Sequence, residues 1–154
     1  MPAEIERKFL VDEVPSADDL GRATSMRQGY LATECDTVVR IRITDDAATL
    51  TVKGGQGVVR TEVAVDVPAA ASEALWLLTD GRRINKARHR VELGDGLTAE
   101  IDVYGGPLDG LVTVEVEFPS EARARSFEPP AWFGRDVTDE PGWSNDALAR
   151  HGRP

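Results

Sequence analysis

Apolar and polar residues alternate with a period of two along most of the chain, the spacing of β-strands whose side chains point to opposite faces. The alternation falls into short segments at 3–11, 26–33, 37–44, 48–54, 59–67, 83–92, 98–105 and 111–118. Asp45-Asp46, Gly54-Gly55-Gln56-Gly57, Gly94-Asp95-Gly96 and Gly105-Gly106-Pro107 lie between neighbouring segments and read as hairpin connections. The longest gap, 68–82, opens on Pro68, runs through an alanine-rich stretch to Leu75-Trp76-Leu77-Leu78 and stops at Gly81, which predicts a helix. Shorter helices are expected at 16–22, 120–126 and 143–150. The pattern predicts a mainly β (α+β) fold, an eight-stranded antiparallel β-barrel with helices packed outside it. At 154 residues the chain suits one domain, 1–154.

One face of these strands carries Glu4, Glu6, Lys8, Gln28, Tyr30, Arg40, Arg42, Thr51, Lys53, Arg60 and Glu62, then Lys86, Arg88, Arg90, Glu100, Asp102, Glu115 and Glu117. The opposite face carries Ile5, Phe9, Val39, Ile41, Ile43, Leu50, Val52, Val63 and Val65, then Val91, Ile101, Val103, Val112, Val114, Val116 and Phe118. Arg7 and His89 depart from the rule. Parity alone permits two closures. In one the apolar face is inward and the charges are a hydrated exterior. In the other the charges line a polar tunnel, and helix 69–80 with a C-terminal segment holding Trp132, Phe133 and Trp143 covers the apolar outside. The signs are sorted between strands, however. Bases dominate 40–42, 53–60 and 86–90, while acids dominate 4–6, 100–102 and 115–117. A face serving solubility alone would intersperse them. Segregation suits a site with cations on one wall and a polyanion against the other.

Composition narrows the chemistry. A formal net charge of −9 argues against a partner such as duplex nucleic acid. The single Cys35 excludes an internal disulfide and a cysteine-rich zinc site, and His89 and His151 add little for soft metals. No apolar run approaches ~20 residues and no signal peptide is legible, so a cytoplasmic protein with no membrane partner is expected. Glu4-x-Glu6-x-Lys8 sets two oxygen ligands for a hard divalent cation beside an ammonium that can meet an anion held by the same cation. Metal plus polyanion is the chemistry of phosphoryl compounds. Gly54-Gly55-Gln56-Gly57 lacks the Lys-Ser/Thr of a P-loop and opens a strand, so it reads as a turn.

Glu4-x-Glu6-x-Lys8 followed by Arg40-x-Arg42, Lys53, Lys86-x-Arg88 and Glu115-x-Glu117 resembles the triphosphate tunnel metalloenzymes, or CYTH superfamily, across essentially the whole chain. Glu4 to Val11, Arg27-Gln28-Gly29-Tyr30-Leu31, Val114 to Phe118, Trp132-Phe133-Gly134 and Asn145-x-x-Leu148-Ala149 resemble its short bacterial branch. The resemblance implies a tunnel with a charged interior, the orientation that parity left open. It also implies hydrolysis or cyclisation of linear triphosphates with Mg2+ or Mn2+. The short chain, without an extra segment for an organic group, points to inorganic tripolyphosphate, split into pyrophosphate and phosphate. A nucleoside or thiamine triphosphatase is the second reading, and a non-catalytic polyphosphate- or triphosphate-binding module the third.

On this resemblance Lys8, Arg40, Arg42, Lys53, Lys86 and Arg88 receive the phosphates, arginines as bidentate forks and lysines as mobile point charges. Glu4, Glu6, Asp102, Glu115 and Glu117 are the metal candidates, with room for two ions; Glu4 and Glu6 count as catalytic through the metal they hold. Tyr30 and Lys53 match a general acid–base pair, because a desolvated lysine among cations loses proton affinity. The competing roles are plain phosphate binding for Lys53 and a wall position for Tyr30. Glu62 and Glu100 are expected to pair with bases, and Arg60 and Arg90 to lie at the rim. An apolar barrel exterior with few helices over it accommodates a homodimer.

Overall fold

Each alternating segment forms a strand in the computed structural model, which describes residues 3–154. The strands are β1 (Ala3–Leu10), β2 (Ala23–Glu34), β3 (Thr37–Ile43), β4 (Ala48–Gly54), β5 (Val59–Asp66), β6 (Arg83–Gly94), β7 (Leu97–Tyr104) and β8 (Val112–Glu117). They close into a barrel in the order β1-β5-β4-β3-β2-β6-β7-β8, every neighbouring pair antiparallel. The helices are α1 (Ala17–Leu20), α2 (Ala69–Leu77), α3 (Glu121–Ser126) and α4 (Asn145–His151). Ser16, Ser120 and Ser144 cap α1, α3 and α4, each hydroxyl accepting from a backbone N–H of the first turn. The tight β6–β7 turn places Asp95 at φ 52 and Gly96 at φ 74, the left-handed pair that an Asp-Gly hairpin supplies.

The charged face is the inner one. Gln28, Arg40, Thr51, Lys86, Arg88, Asp102, Thr113 and Glu115 are all buried inside the ring. The apolar face points out and is covered unevenly. Over β1, β7 and β8, Phe9, Ala99, Ile101, Val114, Val116 and Phe118 pack with Ala124, Phe127, Trp132 and Phe133 from the chain beyond β8. Each large side chain so buried contributes about 1.5–3 kcal/mol. Arg7, the exception to the alternation, bolts this cover down. Its guanidinium pairs with Asp136 at 2.9 Å and donates to the carbonyls of Ala124 and Phe127 at 2.9 and 3.1 Å. His89, the other exception, lies 3.2 Å from the Gly21 carbonyl beside α1. Across the barrel α2 lies on β3 and β4, with Trp76 stacked between the guanidinium groups of Arg27 (4.9 Å) and Arg83 (4.6 Å). Val52, Val63 and Val65 on the outside of β4 and β5 stay exposed.

The C-terminal segment does not lie wholly outside the barrel, as the aromatic pattern had suggested. Leu10, Tyr30, Val38, Ile84, Tyr104 and Leu111 form an apolar cluster together with Leu148 of α4, Trp143 and Ala149. Trp132 and Phe133 are outer cover, whereas Trp143 belongs to this closure of one end.

Gly29 on β2 sits under the turn after α2 so closely that a Cβ there would lie 2.5 Å from Oγ1 of the fully buried Thr79. Gly29→Ala is expected to destabilise the fold by about 1–3 kcal/mol through overpacking, measured as a lower urea midpoint at unchanged m-value.

Candidate functional site

Barrel order turns the sequence's sorted charges into two facing walls. β7, β8 and β1 are neighbours and bring Glu100, Asp102, Glu115, Glu117, Glu4 and Glu6 together. The remaining strands bring Arg60, Lys53, Arg40, Arg42, Lys86 and Arg88. Between them runs a cavity of about 820 Å³, lined from Arg90 and Glu100 to Thr138, Trp143, Asn145 and Asp146.

Several bases are held by acids. Asp102 accepts from Lys86 Nζ at 2.7 Å and from Arg88 Nε and Nη2 at 2.8 and 2.9 Å, occupying both its oxygens. Burial would raise its pKa, but Lys86 and Arg88 outweigh burial and keep it below the usual range. Asp102, expected as a metal ligand, is therefore engaged in fixing bases in this structure. Glu100 pairs with Arg88 at 3.3 Å and Arg90 at 2.7 Å. Lys8 donates to the Trp143 carbonyl at 2.7 Å and lies 3.9 Å from Glu115. By contrast, among the described residues Arg42 has only the Gln28 carboxamide oxygen, at 2.9 Å, and Arg40 Nε is buried without an acceptor. Burial together with Arg40 and Arg88 lowers Arg42 to about 10. This wall has positive charge left over for an anion.

The expected Tyr30–Lys53 pair is not joined. Tyr30 is buried and its hydroxyl accepts from Gln28 Nε2 at 3.0 Å. Lys53 instead stands among carboxylates: Glu4 at 2.9 Å, Glu62 at 3.2 Å and Glu6 at 3.9 Å. Burial would lower Lys53, but Glu6 and the other acids outweigh burial and Arg40, so its pKa is raised. The expected loss of proton affinity fails because closure sets β4 near β1, not only near the basic strands. The lysine that loses affinity is Lys86, where burial, with Arg88 and Arg42, outweighs Asp102 and brings it down to about 7.

Of the five expected metal ligands, Glu4, Glu6, Glu115 and Glu117 line one cavity, although among the described residues no three Asp, Glu, His or Cys side chains are preset as a cage. They meet in pairs instead. Glu6 lies close enough to Glu115, and Glu4 to Glu62, for each pair to perturb one another's ionisation. Burial first, then the Glu115 charge, raises Glu6 well above the usual carboxyl range, and burial likewise raises Glu4. Glu4 Oε2 is buried and forms an ion pair with Lys53 at 2.9 Å. Mg2+ and similar ions take one or two carboxylates and complete an octahedron with waters and phosphate oxygens. Two carboxylate pairs relieved of mutual repulsion by a cation fit that requirement. Glu117 stands across from Glu6, exposed, on the same cavity.

The sequence did not reveal the polar contacts at the closed end. Tyr104 donates to Asn145 Oδ1 at 2.6 Å, and Thr33 to Asp146 Oδ1 at 2.9 Å. Thr33 escapes parity because the β2–β3 register shifts between Tyr30 and Ala32, a bulge that turns the following odd positions inward.

Because Glu6 and Glu4 hold protons above the usual range, a divalent ion binding there must displace them. Mn2+ affinity should rise with pH through that range and fall as acid protonates the pair. Calorimetric titration across that pH range in pairs of buffers of different ionisation enthalpy should show proton release, lost in Glu6→Gln.

A family model for the CYTH domain matches residues 2–139. The inorganic triphosphatase of Nitrosomonas europaea is 42% identical over 147 residues, covering 95% of this chain and 96% of that one. The inorganic triphosphatase of Acetivibrio thermocellus is 36% identical over 153 residues, covering 98% and 96%. A crystal structure of an inorganic triphosphatase superposes with a TM-score of 0.71 at 39% identity, covering 98% of this chain and 97% of that one. The family model covers most of the chain and both relatives match nearly all of it, and the chain belongs to the CYTH-domain family.

Proposed function

We propose that the protein is a divalent-metal-dependent inorganic tripolyphosphatase, a cytoplasmic hydrolase that splits tripolyphosphate into pyrophosphate and phosphate with Mg2+ or Mn2+. The observation that carries this reading is the pairing, across one cavity, of arginines without acid partners and carboxylates pressed together. A binding module would need the first and gain nothing from the second. The relatives named as inorganic triphosphatases support an inorganic substrate. So does the inner wall of the strands, where the hydroxyls of Tyr30 and Tyr104 are engaged by Gln28 and Asn145 and both residues are buried.

In this reading Arg40 and Arg42 grip non-bridging oxygens as planar forks. Lys86 and Arg88, oriented by Asp102, extend the grip, and Lys8 adds a point charge from the closed end. An ion held by Glu6 with Glu115, or Glu4 with Glu62, supplies Lewis acidity and charge neutralisation when bound. Lys53, kept protonated by its acids, stabilises charge on the leaving pyrophosphate, and Tyr30 is a wall residue. Positioning and charge neutralisation suffice for phosphoryl transfer of this kind.

Phosphate release from tripolyphosphate, ATP and thiamine triphosphate, with Mg2+, Mn2+ or EDTA, tests the proposal. Turnover of tripolyphosphate far above the others, stopped by EDTA, is expected. Preference for an organic triphosphate moves the function to that substrate, and binding without turnover makes the protein a sensor. Arg40→Ala should raise KM about 10- to 100-fold, the loss of a charged hydrogen-bonding group. Glu6→Gln should lower kcat and weaken the metal requirement's midpoint. The proposal includes a homodimer through the exposed Val52, Val63 and Val65 face, a flat apolar patch that a two-fold makes self-complementary. Val63→Glu should then yield a monomer by light scattering, with an unchanged far-UV spectrum.

A further inference from the structure

Arg60, expected at the rim, is set into the wall. It stands on β5 directly across from Glu4 on β1, and lines the cavity with Lys53, Arg40 and Glu62. Its Nε is buried and has no hydrogen-bond acceptor. The nearby acids are committed elsewhere: Glu4 and Glu62 both turn to Lys53, at 2.9 and 3.2 Å. Among the described residues, Arg60 shares one trait with Arg40 alone, a guanidinium nitrogen sealed from water and left without an acceptor. Such a group is costly to keep unless something else accepts from it. For Arg40 that acceptor is a phosphate oxygen in the proposed function. The same chemistry applies to Arg60.

Position makes the role specific. Around the barrel the bases run from Lys86 and Arg88 on β6 through Arg42 and Arg40 on β3 and Lys53 on β4 to Arg60 on β5. The next strand is β1, where the acids begin. Arg60 is the last base before Glu4, at the seam of the two walls. We infer that Arg60 is a further substrate-binding residue, its guanidinium edge holding the terminal phosphoryl group of a linear triphosphate at the Glu4 side of the tunnel. The inference rests on the proposed function only in needing a polyphosphate chain in this cavity. Whether that chain ends in an organic group at its other end is immaterial to it.

The test is binding without turnover. Tripolyphosphate and ATP are titrated calorimetrically in EDTA into the full chain and into Arg60→Ala and Arg60→Lys, with thermal midpoints taken alongside. Arg60→Ala should weaken tripolyphosphate binding about 10- to 100-fold, and Arg60→Lys should recover only part, since an ammonium cannot replace a two-point fork. An equal loss for ATP also supports the inference, placing Arg60 on the shared phosphate chain. KM with metal present should rise by a similar factor. If Arg60→Ala fails to fold, Arg60→Lys carries the test: binding as tight as the wild type overturns the inference. So does a folded Arg60→Ala that binds within about twofold of the wild type, with the proposed function left standing. A wild type that binds neither anion in EDTA and turns over neither with Mg2+ or Mn2+ overturns both.

Discussion

Charge buried in a barrel must be compensated, and that constraint governs the rest of this structure. Turning the charged faces of eight strands inward takes many ionised groups out of water, where each carries a desolvation penalty of several kcal/mol. The fold tolerates this through pairs made across neighbouring strands. Lys86, Arg88 and Asp102 are the clearest case: Lys86 and Asp102 have fully buried side chains, and each oxygen of Asp102 is occupied by a base. Removing one partner from such a cluster typically costs about 3–5 kcal/mol, because the other charge is left buried and alone. Asp102 thus serves the fold first.

Against that paired background the uncompensated groups stand out. Arg40, Arg42 and Arg60 lack acid partners among the described residues, while Glu6 and Glu115 face each other as like charges. An anion relieves the first group and a cation the second. A metal-bound polyanion relieves both at once, with complementary electrostatics already in place before it arrives. The arginines without acid partners sit on β3 and β5 and the crowded carboxylates on β1 and β8, whereas the fully paired cluster lies on β6 and β7.

Much of this was legible in the sequence. Period-two alternation located every strand, and the sorted signs became contiguous walls once barrel order was known. Orientation was not legible from parity, since an apolar or a charged interior satisfies the same pattern; it came from the family likeness. Three further features escaped. The bulge after Tyr30 moves Thr33 onto the inner face, which no alternation rule anticipates. Leu10, Val38 and Ile84 share the parity of Lys8, Arg40 and Lys86, yet they form an apolar end-plug because α4 supplies Leu148 to meet them. And Lys53 reads as one of a series of bases until closure places Glu4 and Glu6 beside it. Each miss comes from contacts between residues far apart in sequence.

The N-terminal strand shows how far the site depends on closure. β1 is the first strand in sequence but lies between β5 and β8, so Glu6 meets Glu115 only when the two ends of the barrel's chain come together. Among the described residues its ladder to β5 has three registered pairs, from Ala3 to Ile5, and its ladder to β8 five. An ion held between Glu6 and Glu115 would tie β1 to β8, and one between Glu4 and Glu62 would tie β1 to β5. Any ligand that binds only the closed form stabilises it by mass action, about 2.7 kcal/mol at a hundredfold excess over Kd. The repulsion between these carboxylates opposes closure for the same reason that it favours cation binding. The seam of the barrel and its metal-binding pairs are therefore one feature, and occupation of the site and completion of the fold are thermodynamically linked.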